Sequence, residues 1–403
     1  MRFTLHGARL IDATTESESA ITINDALIEA IGSDVVETTI DASDTIIMPG
    51  FIDLHTHGGG GFHLQTTHVE ELHAYSRWVP ATGVTSFLIG VVGVPDALPQ
   101  EQLRTAVEAI ERWQWGAEPL GIHLEGPYIN VKRRGAHLPS WLRLPNEAEL
   151  ELILALTKGH LRLITLAPEL PGATAIIRQL QEAGVVVSIG HTEANYEQTS
   201  AAIDLGVTYA THCFNAMRPL QHRDPGPLAA IMQASQVRGE LIGDGVHVHP
   251  AMMDVLVKLL GAERTIIVTD ALAGAGLADG VFEFAGQPAQ VNGGAVRLAD
   301  GTLTGSVLTM DQALRNVLQM TQVSLPQAVG MLTLNPAQSI KVAEHKGRLC
   351  RGYDADLLIF DKALALQAAI CRGTLTFATD MWRERLQVLQ EAQPLVYPRV
   401  LPQ

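Results

Sequence analysis

Histidines and carboxylates recur where short apolar segments of this sequence end. These residue types bind divalent metal ions and move protons, and a ligand set of imidazoles and carboxylates that leaves one position for water supports metal-assisted hydrolysis. If the segments are parallel strands, their carboxyl ends meet at one rim and the side chains converge there. The residues concerned are His55, His57, His123, Glu125, His191, His212, Asp244, His247 and Asp270.

The first pair, His55 and His57, has the spacing of two side chains on one face of a strand, so both imidazoles can reach one ion. A buried, hydrogen-bonded histidine is the commoner reading of an isolated pair of this kind. Four glycines, residues 58–61, follow the pair and would let the backbone pass close to a site. The alternative reading of these glycines is a flexible loop tip.

Glu125 ends an apolar run, and a buried carboxylate must be paired, hydrogen-bonded or metal-bound. With His191 and His212 it would complete a set of one carboxylate and two imidazoles, and we favour metal ligation over a structural ion pair. His123 is interpreted as a packed histidine that supports the site, either on the opposite face or one layer below Glu125.

Asp270 ends the last apolar run and is suited to accept a proton from metal-activated water and return it to a leaving amine. The alternative role is a ligand or supporting carboxylate. His247 is suited to hydrogen-bond or polarise a substrate carbonyl group.

Eight apolar runs contain these residues, and stretches of helical length and spacing separate them. The runs are TIIMPGFIDLHTH, GVTSFLIGV, GIHLEGP, LRLITLAPE, GVVVSIGHTE, VTYATHCFNA, GELIGDGVH and RTIIVTDA. Continuous apolar runs are typical of buried parallel strands, and eight strand–helix units make a closed barrel. We therefore predict an α/β fold whose main domain, residues 49–344, is a (β/α)₈ TIM barrel.

The two ends of the chain alternate apolar and polar positions over shorter runs, as in RFTLHGARLID and in the late GRLCRGYDADLLIFD. We predict that residues 1–48 and 345–403 combine into one small β-sandwich domain. The final stretch beyond about residue 380 reads as a helix and then a Pro-interrupted segment, without an assigned role.

Composition and charge narrow the classes of partner. The 403 residues are 47% hydrophobic with a formal net charge of −15, which argues against a nucleic-acid or anionic-membrane surface but leaves room for a local anion site. Cys213, Cys350 and Cys371 are spaced for neither a disulfide framework nor a thiolate zinc site, which indicates a reducing cytoplasm. Since neither a signal-like start nor an apolar stretch of about 18 residues occurs, we expect no export signal and no membrane span.

Taken together and in order, several motifs resemble those of the N-acetylglucosamine-6-phosphate deacetylases, a family of the amidohydrolase superfamily. The matching stretches are PGFIDLHTHG, HLEGPYIN with the following RGAH, SIGHTEA, THCFNAM, RDPG, DGVHV, VTDA and GTLTGSVLTM. They run from about residue 49 to residue 310, and GRLCRGYDADLLIFD looks like the closing β segment of the superfamily.

The resemblance implies hydrolysis of N-acetylglucosamine 6-phosphate to glucosamine 6-phosphate and acetate, with a metal at Glu125, His191 and His212 and Asp270 as acid/base. Family members that keep the first-strand histidine pair hold two metals and others hold one. We therefore expect one or two divalent ions per subunit, with zinc as the first choice and iron or another ion open. The implied substrate contacts are Ala136, His137, Asn215, Ala216, Arg223, Asp244, His247, Leu303, Thr304 and Gly305.

In the family, the arginine that matches Arg223 reaches the active site of the neighbouring subunit, which implies a homodimer. A guanidinium group suits phosphate, although a surface arginine in a polar loop is the ordinary reading of this position. Related cyclic amidases commonly use a carboxylated lysine from the fourth strand, and LRLITLAPE offers none at its end. One departure from the family pattern is FHLQTTHVE, which lacks an expected acidic residue.

Three alternatives to this function remain open. The chain could be another amidohydrolase-superfamily deacylase or a cyclic amidase; it could act on the galacto epimer, N-acetylgalactosamine 6-phosphate; or it could be a non-catalytic sugar-phosphate-binding barrel. A non-catalytic protein has no chemical need for Asp270, which speaks against the last.

Overall fold

The computed structural model describes residues 1–32, 38–284 and 286–387. Its strands are β1 (Arg2–Ile11), β2 (Glu16–Asn24), β3 (Leu27–Ile31), β4 (Thr39–Asp41), β5 (Ile46–Pro49), β6 (Phe51–Asp53), β7 (Gly58–Gly59), β8 (Phe62–His63), β9 (Val84–Val91), β10 (Glu118–Glu125), β11 (Leu161–Leu166), β12 (Val186–Ile189), β13 (Tyr209–Ala210), β14 (Arg238–Ile242), β15 (Thr265–Val268), β16 (Val281–Phe284), β17 (Gln287–Asn292), β18 (Ala295–Leu298), β19 (Leu303–Ser306), β20 (Leu357–Phe360), β21 (Leu366–Cys371) and β22 (Thr374–Ala378). Its α-helices are α1 (Val69–Trp78), α2 (Gln100–Glu111), α3 (Glu147–Thr157), α4 (Ala173–Glu182), α5 (Tyr196–Asp204), α6 (Gly226–Gln233), α7 (Pro250–Leu260), α8 (Met310–Met320), α9 (Leu325–Leu332), α10 (Leu334–Ser339) and α11 (Asp380–Arg385).

Eight parallel strands form the predicted barrel, in the order β6, β9, β10, β11, β12, β13, β14 and β15. Each of the eight predicted runs overlaps one of them, and helices α1 to α8 alternate with them along the chain. The first and last strands meet just beyond their ends, where the Asp270 amide donates to the His55 carbonyl and the His57 amide to the Ala271 carbonyl, both at 2.8 Å. The predicted TIM barrel is therefore confirmed, and its rim is closed at the residues singled out for chemistry.

Strands from both chain ends form a second sheet, in the order β22-β21-β20-β5-β1-β2-β3, with β4 paired to β1. β5 has an apolar residue on each face: Ile46 and Met48 belong to the barrel core, and Ile47 belongs to a separate core within this sheet. That second core joins residues of β1 and β2 to residues of β20 and β21, so strands from the two ends of the chain share one core.

The boundaries drawn from the sequence, 1–48 with 345–403 and 49–344, stay a prediction. One residue separates the end of β5 from the start of β6, so the terminal sheet leads directly into the first barrel strand. The last part of the predicted sandwich segment, residues 388–403, lies outside the described residues, as does most of the Pro-interrupted tail.

An antiparallel meander of four strands, β16 to β19, lies between β15 and α8 and was not predicted. Its strands are only four to six residues long and are separated by glycine-containing turns. Its buried residues, among them Phe284, Ala289 and Val291, pack with Trp141 and Leu272 at the barrel rim. The meander therefore forms one wall above the carboxyl ends of the barrel strands.

No helix in the described ranges has both the length and the apolar character that are needed to cross a membrane.

Lys346 connects the terminal sheet to the barrel. Its buried ammonium group lies 2.8 Å from a carboxylate oxygen of Glu118, 2.9 Å from one of Asp354 and 2.8 Å from one of Asp356. Burial alone would lower the pKa of Lys346, but the charges of Asp356, Glu118 and Asp354 outweigh it and raise that pKa. One buried cation thus neutralises carboxylates from both units.

Replacing Lys346 with Met is expected to lower the free energy of unfolding by about 3–5 kcal/mol, because it leaves buried carboxylates without a counter-charge. Chemical denaturation of wild type and variant measures this. Lys362→Met is the matched control, since its pair with Asp44 is largely exposed and worth at most about 1 kcal/mol. Equal midpoints for the two variants would contradict a stabilising role of the Lys346 cluster.

Candidate metal centre and active site

Three side chains at the ends of barrel strands meet around one point. Glu125 is the last residue of β10, His191 lies shortly after β12, and His212 shortly after β13. The Glu125 Oε1 atom lies 3.0 Å from His191 Nε2 and 3.3 Å from His212 Nε2, and all three residues are buried. The structure therefore brings these predicted ligands together as one possible metal-binding group.

The imidazole of His191 is held in one tautomer. Its Nδ1 atom lies 2.8 Å from the Arg133 carbonyl oxygen, which only accepts, so Nδ1 carries the hydrogen. The Nε2 atom therefore faces the site with its lone pair, and it lies 3.0 Å from Nε2 of His212. Two imidazole nitrogens beside a carboxylate oxygen suit a divalent cation.

A second group shares Glu125. His57 Nε2 lies 3.4 Å from Glu125 Oε2, and His55 Nε2 lies 3.5 Å from Glu125 Oε1. The buried His55 Nε2 has no hydrogen-bond partner in the described part of the chain, which is the condition expected of a metal ligand before an ion binds. The structure therefore contains two possible metal-binding groups that share Glu125.

Electrostatics around Glu125 favour its ionised form. Burial would raise the pKa of Glu125, but the charge of His55 and the ring nitrogens of His137, His191 and His212, which lie within hydrogen-bond distance, hold it well below the usual range. Burial would likewise lower the pKa of His57, yet hydrogen bonds to Asp270 and Glu125 raise it to about 9. Binding of a cation would displace such ring protons, so metal affinity is expected to rise with pH.

Asp270 follows β15 and faces the same point. Its Oδ1 atom lies 3.2 Å from His57 Nε2 and 3.6 Å from His55 Nε2. Burial opposes its charge, but the charge of His55 and the hydrogen bond and charge of His57 keep the pKa of Asp270 below the usual range. The carboxylate is therefore ionised and able to accept a proton.

The backbone is strained at three of these positions. His191, His212 and Asp270 have φ angles of +48°, +26° and +47°, a region that residues with a side chain seldom adopt. Strain of this kind persists where the surrounding structure imposes it, and it is concentrated at functional sites.

His247 lines the same cavity as His57 and is paired with Asp244. The Asp244 Oδ2 atom accepts from His247 Nδ1 at 2.6 Å, while Oδ1 accepts the backbone amides of Val246 and His247. Burial would lower the pKa of His247, but the hydrogen bond and charge of Asp244 outweigh it and raise that pKa. His247 is therefore held as a donor whose Nε2–H can point into the site.

A cavity of about 260 Å³ opens above these groups. Thirteen of the residues predicted as ligands, catalytic groups or substrate contacts line it: His57, Glu125, Ala136, His137, His191, His212, Asn215, Ala216, His247, Asp270, Leu303, Thr304 and Gly305. His55 lies beneath the cavity, Asp244 behind His247, and Arg223 on an exposed loop away from it. His123 lies one layer below, with its ring 4.6 Å from that of His55 and its Nε2 atom 2.9 Å from Thr165 Oγ1.

Three residues of the cavity were not predicted from the sequence: Gly135, Phe284 of β16 and Thr302 before β19. The Phe284 ring contacts His57 edge-on at 5.8 Å and Trp141 at 6.1 Å between ring centroids. The available signal was the alternation in VFEF and QPAQVN around turn residues, which is typical of a β-meander.

The chain is similar to known proteins over most of its length. Residues 46–385 match the amidohydrolase family. The chain is 36% identical over 341 residues to the N-acetylglucosamine-6-phosphate deacetylase of Lysinibacillus sphaericus, covering 85% of this chain and 88% of that protein. It is also 36% identical over 353 residues to the N-acetylgalactosamine-6-phosphate deacetylase of Escherichia coli O157:H7, covering 88% and 93%.

Among solved structures, a mutant N-acetyl-D-glucosamine-6-phosphate deacetylase of Mycobacterium smegmatis in complex with N-acetyl-D-glucosamine-6-phosphate is similar. It has a TM-score of 0.88 and 33% identity, over 94% of this chain and 100% of that one. The N-acetylglucosamine-6-phosphate deacetylase of Pasteurella multocida also gives a TM-score of 0.88, with 29% identity over the same shares.

Proposed function

Because the chain belongs to the amidohydrolase family, we infer that it is a metal-dependent amide hydrolase, and that it converts N-acetylglucosamine 6-phosphate to glucosamine 6-phosphate and acetate. The observation that supports this most is the convergence of two possible metal-binding groups, Asp270 and His247 on one cavity. Deacetylases of this substrate resemble the chain over most of its length.

We propose that Glu125, His191 and His212 hold one divalent ion and that His55, His57 and Glu125 hold a second. Imidazole with carboxylate suits zinc, with iron or another divalent ion as the alternative. When bound, such an ion supplies a Lewis acid that lowers the pKa of water and polarises a carbonyl group.

Asp270 accepts the proton of the attacking water as its oxygen forms a bond with the acetamide carbon. His247 donates a hydrogen bond from Nε2 to the carbonyl oxygen as negative charge develops there. Asp270 then delivers its proton to the amine nitrogen while the carbon–nitrogen bond breaks, which yields the free amine and acetate. This role is supported by the contacts of His57, whose Nε2 atom lies 3.2 Å from Asp270 Oδ1 and 3.4 Å from Glu125 Oε2.

Asp244→Asn is expected to shift the alkaline limb of the kcat–pH profile to lower pH. His247 must be protonated to donate from Nε2 while Nδ1 binds Asp244, so activity is present below the His247 pKa and is lost as pH rises through it. Since Asp244 raises that pKa, removing its charge lowers it and the loss begins earlier. The measurement is kcat across pH, and an unmoved alkaline limb would assign that limb to another group.

Phosphate recognition is proposed to involve a second subunit. The residues that line the cavity include neither lysine nor arginine, so no ammonium or guanidinium group of the described chain lines it for the phosphate group. Arg223 lies on an exposed loop and is free to extend outward. We propose a homodimer in which Arg223 of each subunit completes the cavity of the other.

Mixing two inactive variants tests this arrangement. Arg223→Ala should lower kcat/KM about 10- to 100-fold, the loss of a charged hydrogen bond. Mixed subunits of Arg223→Ala and Asp270→Asn, unfolded and refolded together, should regain about a quarter of wild-type activity, because random pairing leaves one intact site in half of the dimers. Arg178→Ala, which changes an exposed arginine of α4, is the control for Arg223→Ala. If mixing restores nothing while gel filtration shows mixed dimers, Arg223 does not act across the interface.

The proposed reaction is tested by acetate release. Purified protein is incubated with N-acetylglucosamine 6-phosphate, with the unphosphorylated sugar and with N-acetylgalactosamine 6-phosphate, each with and without a chelator. Chelator-sensitive release from the gluco phosphate and not from the free sugar is expected. Faster release from the galacto phosphate would favour the second candidate function, which the Escherichia coli relative supports.

Absence of release from all three substrates would leave another acyl amide, a cyclic amide or a non-catalytic role.

We propose a reducing compartment such as the cytoplasm for the reaction, since Cys213, Cys350 and Cys371 are all free thiols.

A further inference from the structure

Glu240 is a buried carboxylate of β14 that the proposed reaction does not use. It lies inside the barrel with no exposed surface, and its Oε2 atom lies 2.9 Å from Nδ1 of His55 and accepts the backbone amide of His212 at 2.9 Å. These two contacts join it to one residue of each metal-binding group, although 185 residues separate it from His55.

We propose that Glu240 is a positioning residue that orients His55 toward the ion held with His57 and Glu125. A carboxylate only accepts, so its contact with His55 keeps a hydrogen on Nδ1 and leaves Nε2 as the ring nitrogen that can bind an ion. That Nε2 atom faces Glu125 at 3.5 Å and Asp270 at 3.6 Å and has no other partner. A carboxylate behind a ligating histidine both fixes the ring and strengthens it as a ligand.

The second contact links the two groups. The His212 amide donates to the same Oε2 atom at a residue whose φ is +26°, so Glu240 also supports an unusual backbone turn. The neighbouring backbone is held independently, because the Cys213 amide donates to the Glu240 carbonyl and the Asn215 amide to the His212 carbonyl. Loss of the Glu240 side chain therefore affects the His55 ring, whose Nδ1 atom it contacts directly, more than it affects the backbone at His212.

This inference rests on the two-ion arrangement proposed above. Its test is the number and affinity of bound ions, measured on the full chain by elemental analysis and chelator competition with Zn²⁺ in the absence of substrate. Acetate release is measured separately, so a protein that binds ions as expected but does not release acetate would refute the proposed reaction and leave this inference intact.

Wild type is expected to bind two Zn²⁺ ions and His55→Ala one. Glu240→Ala should also bind one, and Glu240→Gln, which keeps an acceptor oxygen, should retain the second ion with about 10- to 100-fold weaker affinity. If Glu240→Ala does not fold, Glu240→Gln alone provides the comparison. The double variant His55→Ala/Glu240→Gln should equal His55→Ala, since both changes act on the same ion.

Glu118→Gln is the matched control, because it removes a carboxylate charge at the opposite end of a barrel strand and should leave both ions bound. The proposal is overturned if Glu240→Gln binds the second ion as tightly as wild type, if the double variant loses the remaining ion, or if wild type binds a single ion that His55→Ala does not affect.

Discussion

Asp270→Asn is expected to lower kcat by about 10²- to 10⁴-fold while the protein keeps its ions, because the amide can neither accept the proton of water nor return it to the amine. Asparagine has the same shape and still hydrogen-bonds, so the contacts of Asp270 with His57 and His55 can be kept in altered form. Steady-state kinetics and elemental analysis of the same preparation measure both quantities.

The control for Asp270→Asn is Asp254→Asn, which removes a carboxylate paired with Lys258 on the outer helix α7 and should leave kcat unchanged. Two outcomes would contradict the assignment of Asp270. Turnover near that of wild type would show that another group moves the proton. Loss of the ions together with turnover would show that Asp270 acts as a ligand, the alternative role open from the sequence.

The barrel could be predicted because each of its strands is marked by the apolar residues of one short stretch of sequence. A strand buried on both faces is mostly apolar along its length, and β9, whose eight residues are all buried, is apolar apart from Thr85 and Ser86. The residues for chemistry could be found for the same reason, since Glu125 and Asp270 stand out as charged groups at the ends of such runs. Their convergence then follows from the geometry of a parallel barrel.

The meander and the contact of Glu240 with His55 could not be predicted, because they depend on contacts between distant parts of the sequence that no local pattern encodes. The meander has short strands, and the place of Phe284 beside His57 is fixed by packing against Trp141 across the rim. Glu240 is one polar residue within an apolar run, and only the fold shows that it meets His55. Arg223 is proposed to act in the cavity of a second subunit, and contacts between subunits leave no local pattern in the sequence of one chain.

Glu125→Gln is expected to remove both ions and to reduce activity to the level of chelator-treated wild type. Glu125 is the residue common to both metal-binding groups: Oε1 faces His191 and His212, and Oε2 faces His57. An amide in its place supplies one weak oxygen donor and turns N–H groups toward imidazole nitrogens that must keep their lone pairs for a metal.

Variants that change a ligand of only one metal-binding group are the comparison for Glu125→Gln. His55→Ala removes a ligand from one group and should cost one ion, whereas Glu125→Gln should cost two, and excess Zn²⁺ should restore ion binding to the first variant more readily than to the second. Elemental analysis across a range of Zn²⁺ concentrations separates the cases. A tightly bound ion retained by Glu125→Gln would show that one metal-binding group does not need this carboxylate. That result would contradict the proposed sharing of Glu125.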